Sequence, residues 1–452
     1  WKDRGGIRMF KTLKNAWKVP ELKFKLLFTL LIVVLYRLGA NIPVPYVADA
    51  AVNTFNAYGN TLLGWLTVMN GEAFGKGTFF ALSVSPYITA SIVMQLLTIA
   101  IPALERLSKT GEEGRKKINS ITRYVTVALA LITAIGYTAL FRGWPWNGKS
   151  ASDWFTFGVI VGCYCAGAAI IMWMAEKIND YGIGNGVSII LFANIVARIP
   201  QLAGSIWTLI FKNGGFNGFS FWGLILAIVC IAVIVAIVAL IVCVTNSERR
   251  IPIQYAKRVV GRKMYGGQGT NLPLKVNMTG VMPIIFASSI ATLPGTIIGF
   301  INANASSSAA KNSWIANFFG YTSWTYVLVN LILIVAFSYF YIMISFNPVE
   351  VANNIKDNGG SIPGIRPGKP MVDYIKKILN RVTAIGSIFL CFISCFPMIV
   401  AIIAGYLNWN IQGISMLAFG GTSILIVIGV ALETVHEIEA QLTMRNYKGF
   451  LD

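Results

Sequence analysis

The segment FSFWGLILAIVCIAVIVAIVALIVCVT, residues 219–245, runs for 27 positions without a charged side chain. A helix needs about 20 apolar residues to cross the hydrocarbon core of a bilayer, so this stretch reads as a membrane span. Directly after it come Glu248, Arg249, Arg250 and a long stretch rich in Lys, Arg and Gly. The same alternation of apolar run and polar connection fills the chain, which is 56% hydrophobic and 12% charged over 452 residues. That composition is too apolar for a water-soluble globule. Ten runs qualify as spans, at about 24–42, 78–101, 124–141, 154–175, 183–203, 219–245, 278–300, 325–346, 383–406 and 414–432. The first contains Arg37 and the fifth contains Asn194 and Arg198, and such residues face protein or water rather than lipid. The expected fold is an all-α integral membrane protein with ten transmembrane helices.

Ten spans place both termini on one side, and the distribution of Lys and Arg selects that side. The loops sharing a side with the termini hold thirty of the 37 basic residues; the opposite side holds six, counting Arg198 near the end of the fifth run, and Arg37 lies inside the first. Both termini are therefore expected to be cytoplasmic. So are the two long basic loops, Thr245–Asn277 and Phe346–Arg381, which together carry thirteen basic residues. Loops of that length usually hold something, and their charge points to a large acidic partner. In the N-terminal segment 1–23, the positions Ile7, Phe10, Leu13 and Trp17 lie at helical spacing between lysines, as in a basic helix resting on a membrane surface. The chain opens on Trp1 and leads into a retained span, so no cleaved leader is expected, and Met9 is the expected native start. Residues 433–452 form the C-terminal tail.

Enzymatic and metal chemistry find little footing. Cys163, Cys165, Cys230, Cys243, Cys391 and Cys395 all lie inside spans without a companion histidine, which suits inert buried thiols. His436, the single histidine, sits among Glu433, Glu437 and Glu439 on a solvated helix. GWPWNGKS (143–150) matches the nucleotide P-loop pattern, but it joins two spans on the outer side and lacks the strand–loop–helix setting that cradles phosphate. Trp144 and Trp146 fit interfacial anchors. GIGNG (182–186) reads as a tight reversal that starts a helix, and NANASSSAA (302–310) as an outward linker. No paired carboxylates lie within the spans, which weakens a proton-coupled or ion-coupled transporter reading. No cofactor is expected.

Several segments carry a family resemblance: FALSVSPYITASIVMQLLT (80–98), GEEGRKKINSITRY (111–124), ERRIPIQYAKR (248–258), LPLKVNMTGVMPIIFASSI (272–290) and FNPVEVANNIKDNGGSIPGIRPG (346–368). GIGNGVSII (182–190) and FGGTSILIV (419–427) add to it. Over about residues 9–450 the chain resembles the SecY/Sec61-alpha family of protein-conducting channels. The resemblance implies two inverted, pseudo-symmetric five-helix halves around a central pore, here 24–212 and 213–432. It also implies a pore ring of Val84, Ile88, Leu191, Ile285, Ser289 and Ile426. A narrow aliphatic collar excludes water and ions yet yields around a passing chain. From periodicity alone the same residues would read as the core of a helix bundle.

The resemblance makes Asn60–Gly75 a plug in the outer funnel, with Leu62, Leu63, Trp65, Leu66, Val68 and Met69 as its apolar face and Gly71 as a hinge residue. The stretch Ile42–Pro45 also matches, although Tyr46 stands where the family commonly has Gly. A lateral gate is implied between the second and third spans and the seventh and eighth. It would carry Pro86 and Thr89 on one side and Asn277, Thr279 and Pro283 on the other, with proline loosening helices and polar residues supplying exchangeable hydrogen bonds. The basic loops become a docking platform for ribosomal RNA or a cytosolic SecA-type motor ATPase, through Arg249, Arg250, Lys257, Arg258, Arg262, Lys263 and Arg366. The plainer alternative is that these charges only enforce topology and bind anionic lipid. Further implied partners are small SecE-like and SecG-like membrane subunits, signal peptides and unfolded preproteins. The implied role is a non-catalytic channel in a bacterial cell membrane that also releases membrane segments sideways. The rivals are a secondary transporter with inverted repeats and a ribosome-binding scaffold that conducts nothing.

Overall fold

The computed structural model describes residues 17–47, 73, 76–140, 154–211, 221–255, 258–260, 263–265, 269–303, 323–406 and 412–448. Helices dominate: α1 Pro20–Gly39, α2 Ser85–Ala100, α3 Pro102–Lys109, α4 Glu112–Leu140, α5 Trp154–Tyr181, α6 Gly186–Val196 and α7 Ile199–Ile210 in the first half. The second half has α8 Phe221–Thr245, α9 Met282–Ala303, α10 Trp324–Ser345, α11 Pro348–Asp357, α12 Lys369–Tyr406 and α13 Gln412–Lys448. Among the described residues, helices occupy all ten positions read as spans. By length and composition, five of them can cross a bilayer unaided: α4, α5, α8, α10 and α12.

Local chemistry explains the boundaries. Proline stands in the first two positions of α1, α2, α3, α7 and α11, where its missing N–H removes no helical hydrogen bond. Asn185 caps α6 by accepting from the Val187 and Ser188 amides at 3.0 and 3.5 Å, and Asn347 caps α11 through the Val349 amide at 3.2 Å. Two spans depart from the simple apolar runs. The fifth is broken into α6 and α7 around Ala197 and Arg198, because Pro200 can start a helix but not continue one. The second begins only at Ser85, and after α2 the chain bends by 100° into α3 at Pro102.

Packing follows two groups. In the first, α1 lies on α5 and α6, while α2 packs against α4 and α5. In the second, α10 lies between α9 and α12, and α13 lies against α8 and α12. The groups join where α9 meets both α2 and α4, and where α13 meets α6. The largest buried cluster straddles this junction, from Tyr36 and Ile92 through Ile190 to Phe286, Leu390 and Val430.

The turns before α2 are held against α1 and the chain that follows it. Backbone bonds from Val44 to Gly77 and from Phe79 to Ile42 tie them to the end of α1, at 3.2 and 2.9 Å. The Phe80 ring stacks on Tyr36 with centroids 5.6 Å apart, and a Cβ at Gly39 would run into that ring. Tyr46 has φ +70, a left-handed conformation that costs an L side chain about 1–2 kcal/mol.

The two basic loops are one structure. Strand β1 Glu248–Tyr255 pairs antiparallel with β4 Gly269–Lys275, in a register running from Glu248↔Lys275 to Gln254↔Gly269. Strand β5 Gly360–Ser361, from the second loop, pairs with the other edge of β1 at Gln254↔Ser361 and Tyr255↔Gly360. A separate hairpin pairs β2 Arg258–Val260 with β3 Lys263–Tyr265. Ile251, Ile253 and Leu274 on the sheet bury against Ala352 and Ile355 of α11, Ile362, and Met371 and Ile375 at the start of α12. Each such aliphatic side chain, fully buried, contributes about 1.5–3 kcal/mol, so the loops carry a core of their own.

Candidate functional site

Five of the six expected ring residues converge. Val84, Ile88, Leu191, Ile285 and Ile426 are all at most 4% exposed and lie in the same apolar cluster at the junction of the two halves. They come from four helices or helix starts far apart in sequence. Ser289, the sixth, is half-buried one turn after Ile285, and its hydroxyl donates back to the Ile285 carbonyl at 2.8 Å. Its polarity is thereby spent within its own helix, leaving the junction apolar.

The two halves build this site with one local motif, which the sequence reading did not single out. Residues 83–90 read SVSPYITA and residues 280–287 read GVMPIIFA. In each, a left-handed residue (Ser83 at φ +49, Gly280 at φ +63) lies three positions before a proline that starts a helix. In each, a buried valine two positions before the proline accepts from the isoleucine two positions after it: Ile88 to Val84 at 3.0 Å and Ile285 to Val281 at 3.3 Å. Val281 is therefore the counterpart of Val84, and the repeat in the sequence was the signal that identifies it.

Of the expected gate residues, Pro86 and Thr89 lie on α2, which packs against α9, whereas Asn277 and Thr279 precede α9 and Thr279 borders Ile342 of α10 and Val382 and Thr383 of α12. Pro86 and Pro283 begin their helices rather than kink them; the proline inside α9 is Pro294. Thr89 donates to the Ser85 carbonyl at 3.1 Å, and Thr279 donates to the Asn277 side chain at 3.4 Å. Both bonds are local, joining residues four and two positions apart in sequence.

Among the docking residues, Arg249 and Arg366 are exposed, and Arg250 bonds Glu248 through Nε at 2.8 Å and Nη2 at 2.5 Å. Arg366 follows a tight turn in which the Ile365 amide donates to Ile362 at 3.1 Å, with Pro363 at the second position and Gly364 at φ +81 in the third. Arg258 and Lys263 lie on β2 and β3, whereas Lys257 and Arg262 fall outside the described residues. So do the plug residues Leu62, Leu63, Trp65, Leu66, Val68, Met69 and Gly71, the basic N-terminal segment before Trp17, GWPWNGKS and most of the 302–310 linker. Among the described residues, no group of His, Cys, Asp or Glu is arranged to hold a metal.

The fold is a helical membrane architecture in two groups that meet at a buried apolar cluster, beside a basic folded platform. The SecY family model matches residues 78–435. The chain is 44% identical to the protein translocase subunit SecY of Streptomyces coelicolor over 98% of its own length and all of that protein. It is 42% identical to the same subunit of Mycobacterium tuberculosis, over 98% of its length and all of that protein. The fold is similar to a solved protein-conducting channel, with TM-score 0.64 at 19% identity, covering 95% of this chain and 96% of that one. It is also similar to Sec61 in a canine ribosome–channel complex, with TM-score 0.60 at 16% identity over the same shares. The chain belongs to the SecY family.

Proposed function

We propose that this chain forms the pore of a general secretory translocon, with Val84, Ile88, Leu191, Ile285 and Ile426 as the gasket around the translocating polypeptide. The observation that carries this reading is their convergence in one buried apolar cluster where the two halves meet. As a channel subunit of this family the chain is not an enzyme; the pushing force comes from a motor ATPase or from the elongating ribosome. Unfolded preproteins pass the collar, whose aliphatic side chains offer contact without strong binding. Signal peptides and membrane segments part the seam between α2 and α4 on one side and α9 and α10 on the other.

The platform of β1, β4, β5 and α11 is the docking face, with Arg249 and Arg366 exposed on it. Its folded core supports a docking role over one limited to topology, since charge alone needs no buried sheet. The thirty-to-six charge asymmetry supports a cytoplasmic location for the platform and both termini, in a bacterial cell membrane. SecE-like and SecG-like subunits complete the assembly, consistent with the exposed apolar faces of α1 and α8. Asn60–Gly75 is the plug. Deleting it should raise ion leakage of idle channels in proteoliposomes severalfold while preprotein transport persists. Leakage equal to that of the intact channel would refute the plug.

A further inference from the structure

Directly beside the collar lies a polar cluster with no part in the reading so far. Tyr36 on α1, Ser83 in the turns before α2 and Asn194 on α6 are each no more than 1% exposed. The Tyr36 hydroxyl donates to Asn194 Oδ1 at 2.7 Å, and Asn194 Nδ2 donates to Ser83 Oγ at 3.0 Å. The Ser83 and Tyr36 hydroxyls lie 3.4 Å apart. Because the Tyr36 proton is already given to Asn194, Ser83 is the donor across that last contact. The three side chains form a closed ring in which each donates once and accepts once, so each hydroxyl both gives and receives a bond without water.

Two facts connect this ring to the gasket. Ser83 is followed by Val84, whose carbonyl accepts from Ile88, and Asn194 sits one turn beyond Leu191 on α6. The backbone of Ser83 is also strained at φ +49, whereas the repeat in the second half uses Gly280 for the same step at φ +63. Glycine adopts that conformation without penalty, so the first half keeps a strained residue where a relaxed one is known to fit the motif. The serine side chain is needed there, and the contacts that use it run to Asn194 and Tyr36.

We propose that Tyr36, Ser83 and Asn194 form a positioning latch that fixes the turn into α2 relative to α1 and α6, and thereby holds Val84, Ile88 and Leu191 in the closed collar. This rests on the gasket reading above. The latch makes no contact with a passing polypeptide; it sets how firmly the first-half side of the collar stays shut.

The test is anion leakage of proteoliposomes carrying the full reconstituted channel complex, with thermal stability measured in parallel. Tyr36→Phe keeps the ring stacked on Phe80 and removes only the hydroxyl; it should raise leakage severalfold with little change in melting temperature. Asn194→Leu should leak more. Adding Ser83→Gly to Asn194→Leu should reduce the leak, because glycine holds the turn without the latch. A merely structural core defect at 194 would not be repaired by removing a second side chain. Ile88→Asn serves as the reference for an opened collar. If Ile88→Asn leaks while Tyr36→Phe and Asn194→Leu stay at the intact level, the latch is refuted and the gasket stands. Absence of a Ser83→Gly rescue would likewise overturn the latch, leaving a packing defect. If Ile88→Asn is itself silent, the gasket falls and the latch with it.

Discussion

Arg366→Glu is expected to abolish most productive engagement of ribosome or motor while leaving the protein folded and inserted. Arg366 is exposed at the end of a turn whose shape is set by Pro363 and Gly364, so the substitution touches no part of the platform core. Removing one partner of a close interfacial charge pair typically costs about 2–5 kcal/mol. Reversal adds repulsion, so binding should weaken by about 30-fold or more. If the acidic partner is ribosomal RNA, the variant should also bind with a shallower salt dependence, by about one unit of slope. Binding assays to ribosomes and to the motor, at several salt concentrations, measure both effects. Unchanged binding to both would return Arg366 to the role of a topology signal.

The second large effect concerns the collar. Replacing Ile88 and Ile285 together by Asn puts two amides into a site that both halves line with aliphatic side chains. Dry closure there depends on keeping those side chains out of water, at about 1.5–3 kcal/mol for each aliphatic residue. Wetting the constriction should therefore raise ion conductance of the idle channel by about 100-fold or more. Single-channel recording in planar bilayers reads this directly. Conductance at the intact level would mean that the seal lies elsewhere.

Much of this architecture is legible from residues 219–245 and their like, because a run such as α8 has only one use in a protein. Other features lie beyond any local window. The pairing of Gln254 with Ser361 joins positions more than a hundred residues apart, so two basic loops gave no sign of being one sheet. The helices are apolar on nearly every side, so periodicity could not separate the buried Ile88 from the exposed Val93 on the same helix. Family resemblance supplied that choice. The breaks were readable in principle: Pro200 splits the fifth span, and Pro86 starts α2 late, each by proline's inability to continue a helix. The polar Asn194, noted from the sequence as unusual in a span, is buried because it has two side-chain partners rather than a water-filled cavity. A transporter reading does not survive the family membership established by the 44% identical translocase subunit.

The central claim is that a polypeptide passes between the two halves at the collar. Single cysteines at positions 88 and 285, in a channel arrested with a translocating preprotein, test it most directly. Both are predicted to crosslink to the arrested chain, from opposite sides and within the same short stretch of its sequence. Crosslinks only to lipid or to neighbouring helices would contradict the claim.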